Sequence, residues 1–231
     1  MIILKSKKEL EIMREAGKIT AGALRVVQEH IKPGVTTAYL NRLAEEYILK
    51  HNATPAFKGY NGFPASICAS VNAQVVHGFP SDIPLQEGDI VSIDIGAFYK
   101  GYCGDAARTF PVGDISEEAA ALIRTTKESF FEGLKYARLG YRLSDISHAI
   151  QSYVETRGYS VVKSFVGHGI GQKMHEDPQV PNFGPPGMGP RLRAGMTLAI
   201  EPMVNQGTDQ VEILEDGWTT LTKDRLLSAH Y

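Results

Sequence analysis

Only two cysteines, Cys68 and Cys103, occur in 231 residues, and neither has a CxxC partner. A disulfide framework, a zinc ribbon and a thioredoxin-like motif are thereby excluded, and a reducing, cytoplasmic setting is the expectation. Apolar runs as long as a membrane span are missing. The N-terminus, MIILKSKKELEIMREAG, turns charged after its first few residues and lacks the basic-then-apolar order of a secretory signal. Lys/Arg blocks are also absent, and the formal net charge is only −2. Nucleic-acid phosphates therefore have no electrostatic footprint here. What remains is 43% hydrophobic and 22% charged, which excludes disordered and fibrous classes and suits a single globular core. Any metal must be held by carboxylates and imidazoles.

Apolar periodicity predicts a helix over 6–28 and a second from Thr37, taken as its N-cap, through Leu40, Leu43, Ala44, Tyr47 and Ile48. Gly, Pro and β-branched residues then dominate, with strands expected over 66–70, 89–98 and 101–110. Helices are expected again over 117–136 and 144–157, and strands over 160–166, 197–204 and 218–221. This order repeats at an offset of 106 or 107 positions: Gly34 falls on Gly140, Leu40 on Ile146, Tyr47 on Tyr153, Gly88 on Gly195 and Asp94 on Glu201. The expectation is one α+β domain, internally duplicated as roughly 1–112 and 113–231, with helices backing a curved, largely antiparallel sheet.

Each copy delivers a carboxylate late in an apolar strand. The stretch DIVSIDIGAFYKGYCGDAARTF reads as a hairpin, and a Tyr99-Lys100 loop places Asp94 directly across from Asp105. Side chains so paired have Cβ atoms about 5 Å apart. Two carboxylates that close, among Ile93, Ile95 and Cys103, need a cation to offset repulsion and burial. A slip of the register remains open, because Tyr-Lys is not a favoured tight-turn pair. The second half adds His168, flanked by glycines in FVGHGIG, and Glu201, between Ile200 and Pro202. Two Asp, one His and one Glu form an oxygen-rich set that suits Mn, Fe, Co or Zn. His77 in VVHGFP and His175 in KMHEDP are candidates for proton transfer and oxyanion contact. His30, His51, His148 and His230 read as ordinary surface residues.

Asn72 to Pro80, SIDIG over 92–96, Gly104-Asp105, GHGIG over 167–171, Met174-His175-Glu176, AIEP over 199–202 and Trp218 resemble the pita-bread metallopeptidases, specifically the type I methionine aminopeptidases. The resemblance spans the whole chain. It implies a dinuclear divalent-metal site in which Asp105, His168 and Glu201 hold one ion and Asp94 with Asp105 the other. His77 is then placed at the scissile amide and His175 at the substrate carbonyl oxygen. Glu201 takes the proton of the attacking water. Tyr60, Phe63, Cys68, Met174 and Trp218 match the methionine side-chain pocket, and Asn72 and Ser228 match positions around a monovalent cation. N-terminal Met peptides and nascent chains are the implied partners, with the ribosome surface beside them, no nucleic-acid specificity, no membrane and a monomeric state.

In the family a fifth ligand, a Glu in the last strand, follows a Tyr; that position falls one beyond Tyr231. The expectation from the ligand count is a weakened second site and an incomplete last strand. Two alternatives stay open at this point: a non-catalytic peptide- or protein-binding module on the same scaffold, and a proline-directed dipeptidase.

Overall fold

The capping box that starts the first helix also explains its position. Ser6 Oγ accepts the Glu9 N–H, Glu9 Oε2 accepts the Ser6 N–H at 2.7 Å, and α1 runs Lys7–His30. In this computed structural model, which describes residues 1–231, α2 (Thr37–Lys50) follows after a short turn. Its N-cap is Thr36 and not Thr37: Thr36 Oγ1 accepts the Tyr39 N–H, whereas Thr37 is buried and its hydroxyl accepts the Ser81 N–H. The adjacent threonines are equivalent in pattern, and only the tertiary partner distinguishes them.

Strands β1 (Thr54–Pro55), β2 (Ile67–Val71), β3 (Gln74–Val76), β4 (Ile90–Tyr99) and β5 (Tyr102–Pro111) complete the first half. Helices α3 (Glu117–Leu134) and α4 (Leu143–Glu155) open the second. Strands β6 (Ser160–Val161), β7 (Gly167–Gly169), β8 (Glu176–Val180), β9 (Leu198–Ala199), β10 (Met203–Asn205), β11 (Val211–Ile213), β12 (Thr220–Thr222) and β13 (Ser228–His230) close it. All pairings are antiparallel. β4 is central to the first sheet, and pairs with β5, β2 and β1. Three smaller sheets run β13-β10-β6, β11-β12-β3 and β8-β7-β9.

Two of the expected second-half strands are interrupted. The stretch 197–204 breaks into β9 and β10 because Pro202 has no N–H to donate and the Glu201 carbonyl is taken by Asn182 Nδ2 at 2.7 Å. The stretch 160–166 keeps ladder geometry only over β6.

One core packs α1 and α2 on the first sheet through Ala23, Val27, Leu40, Ile48, Ile93 and Ile95. Another packs α3 and α4 through Leu122, Ile146, Ile150, Val154 and Val204. Burying a large aliphatic side chain contributes about 1.5–3 kcal/mol, so these faces hold the helices in place. β13 ties the halves together: Thr109 Oγ1 on β5 accepts the His230 N–H at 2.8 Å and donates to the His230 carbonyl at 3.0 Å. The carboxylate-bearing strands meet along this seam.

Candidate active site

The β4–β5 hairpin turns at Lys100-Gly101, not at Tyr99-Lys100. Both turn residues have positive φ, 48° and 80°. A tight two-residue hairpin loop requires this, and glycine at its second position relieves the cost there. The register therefore shifts by two: Asp94 pairs with Ala107, and Asp105 with Gly96. The expected direct apposition is incorrect. An even shift keeps both carboxylates on one face, as diagonal neighbours, whereas a shift of one puts them on opposite faces.

His168 enters from β7. Its flanking glycines are steric requirements: a Cβ at Gly167 meets the Ala199 carbonyl oxygen, and one at Gly169 meets the Asp177 carbonyl oxygen, both far inside contact distance. The three strands β8, β7 and β9 thus close tightly around the imidazole. Its Nδ1 lies 2.9 Å from the Gly169 carbonyl oxygen, which fixes the ring and leaves Nε2 toward the carboxylates. Nε2 lies 3.1 Å from Glu201 Oε1 and 3.7 Å from Asp105 Oδ2. The ligand atoms of Asp105, His168 and Glu201 fall within 4.8 Å of one another. Asp94 lines the same cavity, outside that tightest group.

Electrostatics identify this cluster as unsatisfied. Asp94 Oδ1 is buried without a hydrogen-bond partner, and Glu201 Oε1, also buried, has only His168 Nε2 beside it, in a geometry that makes no hydrogen bond. Burial, then the charges of Asp105 and Glu201, pushes the Asp94 carboxyl well above the usual range. Burial and Glu201 likewise raise Asp105, to about 7. Burial also opposes ionisation of Glu201, but the neighbouring His168 and His230 outweigh it and hold that carboxyl low. Burial disfavours the His168 cation, yet Glu201, the Gly169 carbonyl and Asp105 raise the imidazole to about 9. Buried acceptors with unused lone pairs, converging with one imidazole, fit a divalent cation that accepts oxygen and nitrogen donors.

The cavity beside the cluster has a volume of about 310 Å³. Every residue assigned to the substrate from sequence lines it: Tyr60, Phe63, Cys68, His77, Met174, His175 and Trp218. Phe63 meets Trp218 edge-on at 5.1 Å between centroids, and Cys68 and Met174 are buried beside them. His77 sits just past β3 at φ 61°, a conformation uncommon for non-glycine residues. Burial and His230 lower its pKa to about 4, so it is neutral at physiological pH. His175 has its ring 4.3 Å from that of His168, and its Nδ1 lies 2.8 Å from the Tyr60 hydroxyl. Burial, with His168 nearby, lowers its pKa as well.

Sequence reading missed four participants. His230, read as a surface residue, is 2% exposed, lines the cavity and points Nε2 to 3.5 Å from Glu201 Oε2. Phe165 packs edge-on against His77 at 5.3 Å, Met203 lines the cavity, and Asn182 anchors the Glu201 backbone. No local pattern marks these residues; contacts between residues far apart in the chain bring them in. His51 and His148 are exposed and His30 half-buried, away from the cavity. Asn72 and Ser228 do meet, through the Ser228 N–H and the Asn72 carbonyl at 3.0 Å. Their side chains are spent on Asp89, the Ile90 N–H and Asn205.

Asp105, His168 and Glu201, with Asp94 in the same cavity, make a donor set that could hold a divalent cation beside an apolar cavity, the kind of site found in metal-dependent hydrolases. The profile of metallopeptidase family M24 matches residues 11–221, and the chain belongs to that family, with its pita-bread fold. It is 61% identical to the methionine aminopeptidase of Clostridium perfringens, covering all of this chain and 93% of that protein. Identity to methionine aminopeptidase 1 of Bacillus subtilis is 55%, with the same coverage. The crystal structure of methionine aminopeptidase from Thermotoga maritima superposes with a TM-score of 0.98 at 48% identity, covering all of this chain and 93% of that one. The prolidase of Pyrococcus horikoshii gives 0.76 at 26% identity, covering 99% of this chain and 62% of that one.

Proposed function

We propose that this chain is a metal-dependent aminopeptidase that removes the N-terminal methionine from polypeptides. The observation that carries the reading is the juxtaposition of buried carboxylates with a cavity of about 310 Å³ walled by Phe63, Cys68, Met174 and Trp218. Relatives named methionine aminopeptidase, matched over nearly their whole length, support it. The binding-only alternative is not favoured, since a cavity meant only to hold a peptide gains nothing from buried carboxylates that repel one another. Asp105, His168 and Glu201 hold one divalent cation in this reading, and Asp94 with Asp105 a second, with Mn, Fe, Co and Zn all suited to the donor set. When bound, such cations supply Lewis acidity and acidify water; aminopeptidases are among that principle's own examples.

The protein's residues do the rest. Glu201 is held ionised at physiological pH by His168 and His230, so it is the group that accepts a proton from the attacking water. The Tyr60 hydroxyl lies 2.8 Å from His175 Nδ1, and in the tautomer where Tyr60 donates, the ring proton of His175 is on Nε2, a donor for the substrate carbonyl oxygen as charge builds there. His77 is a neutral imidazole whose ring N–H is a hydrogen-bond donor at the scissile amide, and the proton taken by Glu201 from the water is the one that goes to the departing amine. Tyr60, Phe63, Cys68, Met174 and Trp218 enclose the methionine thioether, for which aromatic faces and sulfur are favourable neighbours.

The same reading includes an internal duplication. Isolated bridges Thr36–Pro84 and Arg142–Arg191 recur at the offset found in the sequence, as do the Leu85 N–H to Val35 and Leu192 N–H to Tyr141 hydrogen bonds. No helix is long and apolar enough to cross a membrane. Cys68 and Cys103 are unpaired, and in this reading the chain acts as a monomer in the cytosol, on nascent chains at the ribosome. Hydrolysis of Met-Ala-Ser against an X-Pro dipeptide, with and without Mn or Co, tests the function. Metal-dependent cleavage of the first alone is expected; cleavage of the second alone refutes it.

A further inference from the structure

One ion pair outside the metal cluster is buried at both ends. Lys5 Nζ, ahead of α1, lies 2.5 Å from Glu176 Oε2 at the start of β8, and the two side chains are 3% and 5% exposed. Neither residue lines the substrate cavity. The remaining polar atoms are used: Lys5 Nζ donates to the Ile3 carbonyl at 3.2 Å, and Glu176 Oε1 accepts the Lys173 N–H at 3.2 Å. Gly171 leaves room for the pair, because a Cβ there would sit 2.5 Å from both Glu176 Oε1 and Lys5 Cε. The Lys5 backbone N–H is itself fixed to the Gly195 carbonyl at 2.7 Å. At its other end the 171–176 loop is held by the Cys103 N–H, which donates to the Gly171 carbonyl at 2.8 Å, two residues before Asp105. Met174 and His175 lie between these two anchors.

Buried ion pairs are poor net stabilisers, because desolvation offsets most of the attraction, while removing one partner leaves a costly buried charge. Their worth lies in fixing geometry. We propose that Lys5 and Glu176 are positioning residues that aim the His175 imidazole for the aminopeptidase reaction, an inference that rests on the function given above. A misplacement of about 1 Å at a reacting group costs on the order of 100-fold in rate. The N-terminal segment is thus part of the catalytic apparatus without touching substrate.

The full chain loaded with Mn is compared with Lys5→Met, with the apolar double variant Lys5→Met/Glu176→Leu, and with Lys5→Met in a His175→Ala background. Lys5→Met lowers kcat on Met-Ala-Ser roughly 10- to 100-fold, with KM and calorimetric Mn affinity within about threefold. The double variant regains urea stability, as apolar replacements of buried pairs do, but not kcat. In the His175→Ala background Lys5→Met adds little, because the two act through one group. Unchanged kcat in both Lys5 variants, kcat recovering in step with stability, or an undiminished effect without His175 each overturns the inference. A parent chain with no turnover of Met-Ala-Ser overturns the function and this inference together, whereas an active parent with equally active Lys5 variants overturns this inference alone.

Discussion

Removing charge from the metal cluster should stabilise the metal-free protein, and Asp105→Asn measures by how much. The Asp105 side chain is 7% exposed, and burial with the Glu201 charge raises its carboxyl from 3.8 to about 7. Each tenfold change in proton affinity is worth about 1.4 kcal/mol, so ionising this group in the fold costs on the order of 4 kcal/mol above pH 7. The native state binds more protons than the unfolded chain between these two values, so stability from this group falls as pH rises through that window. His168 loses its Asp105 contact in the variant and offsets part of the gain. Metal-free Asp105→Asn should therefore exceed the parent by roughly 2–4 kcal/mol in urea unfolding at pH 8, with the gap closing toward pH 4. Adding Mn at about 1,000 times Kd cancels this gap, because saturation at that level contributes about 4.1 kcal/mol to the parent alone. A metal-free variant less stable than the parent at pH 8, or a gap independent of pH, refutes the account of an electrostatically frustrated site.

His175→Ala should lower turnover of methionine peptides roughly 100- to 1000-fold, as loss of one oxyanion donor does, while calorimetric metal affinity stays within about threefold; lost metal binding reassigns His175 to the ligands. Glu9 is held down to about 2 by hydrogen bonds from the Ser6 side chain and the Tyr102 hydroxyl. A depressed carboxyl stabilises the fold above about 4.5 and loses that contribution as pH falls toward 2. Glu9→Gln should thus melt below the parent at pH 7, with the difference shrinking in thermal melts between about pH 4.5 and 2.5; a constant difference contradicts the assigned cause.

Much of this site is legible because its chemistry contradicts its surroundings. Asp94, Asp105 and Glu201 are carboxylates inside runs rich in apolar residues, and His168 sits between glycines whose missing side chains admit β8 and β9. The hairpin register was not legible, because Tyr99-Lys100 and Lys100-Gly101 both make two-residue loops of the same parity. Side-chain alternation pins the face but not the offset. His230 was invisible for a different reason. Its burial arises from pairing Met203 with His230 and from the Thr109 bridge, contacts between residues far apart in the chain. Asn182 and Phe165 are likewise placed by tertiary contact. The break at Glu201-Pro202 was half legible: the proline marks a strand end, but the continuation in β10 depends on β6 and β13.

The account's central claim is that Asp105, His168 and Glu201 hold the cation on which methionine excision depends. Calorimetric Mn titration of the metal-stripped parent and of Glu201→Gln, each paired with Met-Ala-Ser turnover on the same preparation, tests it most directly. The account predicts that the parent gains metal binding and activity together and that Glu201→Gln loses both while remaining folded. Full activity of Glu201→Gln, or activity of the parent that is indifferent to metal removal, contradicts it.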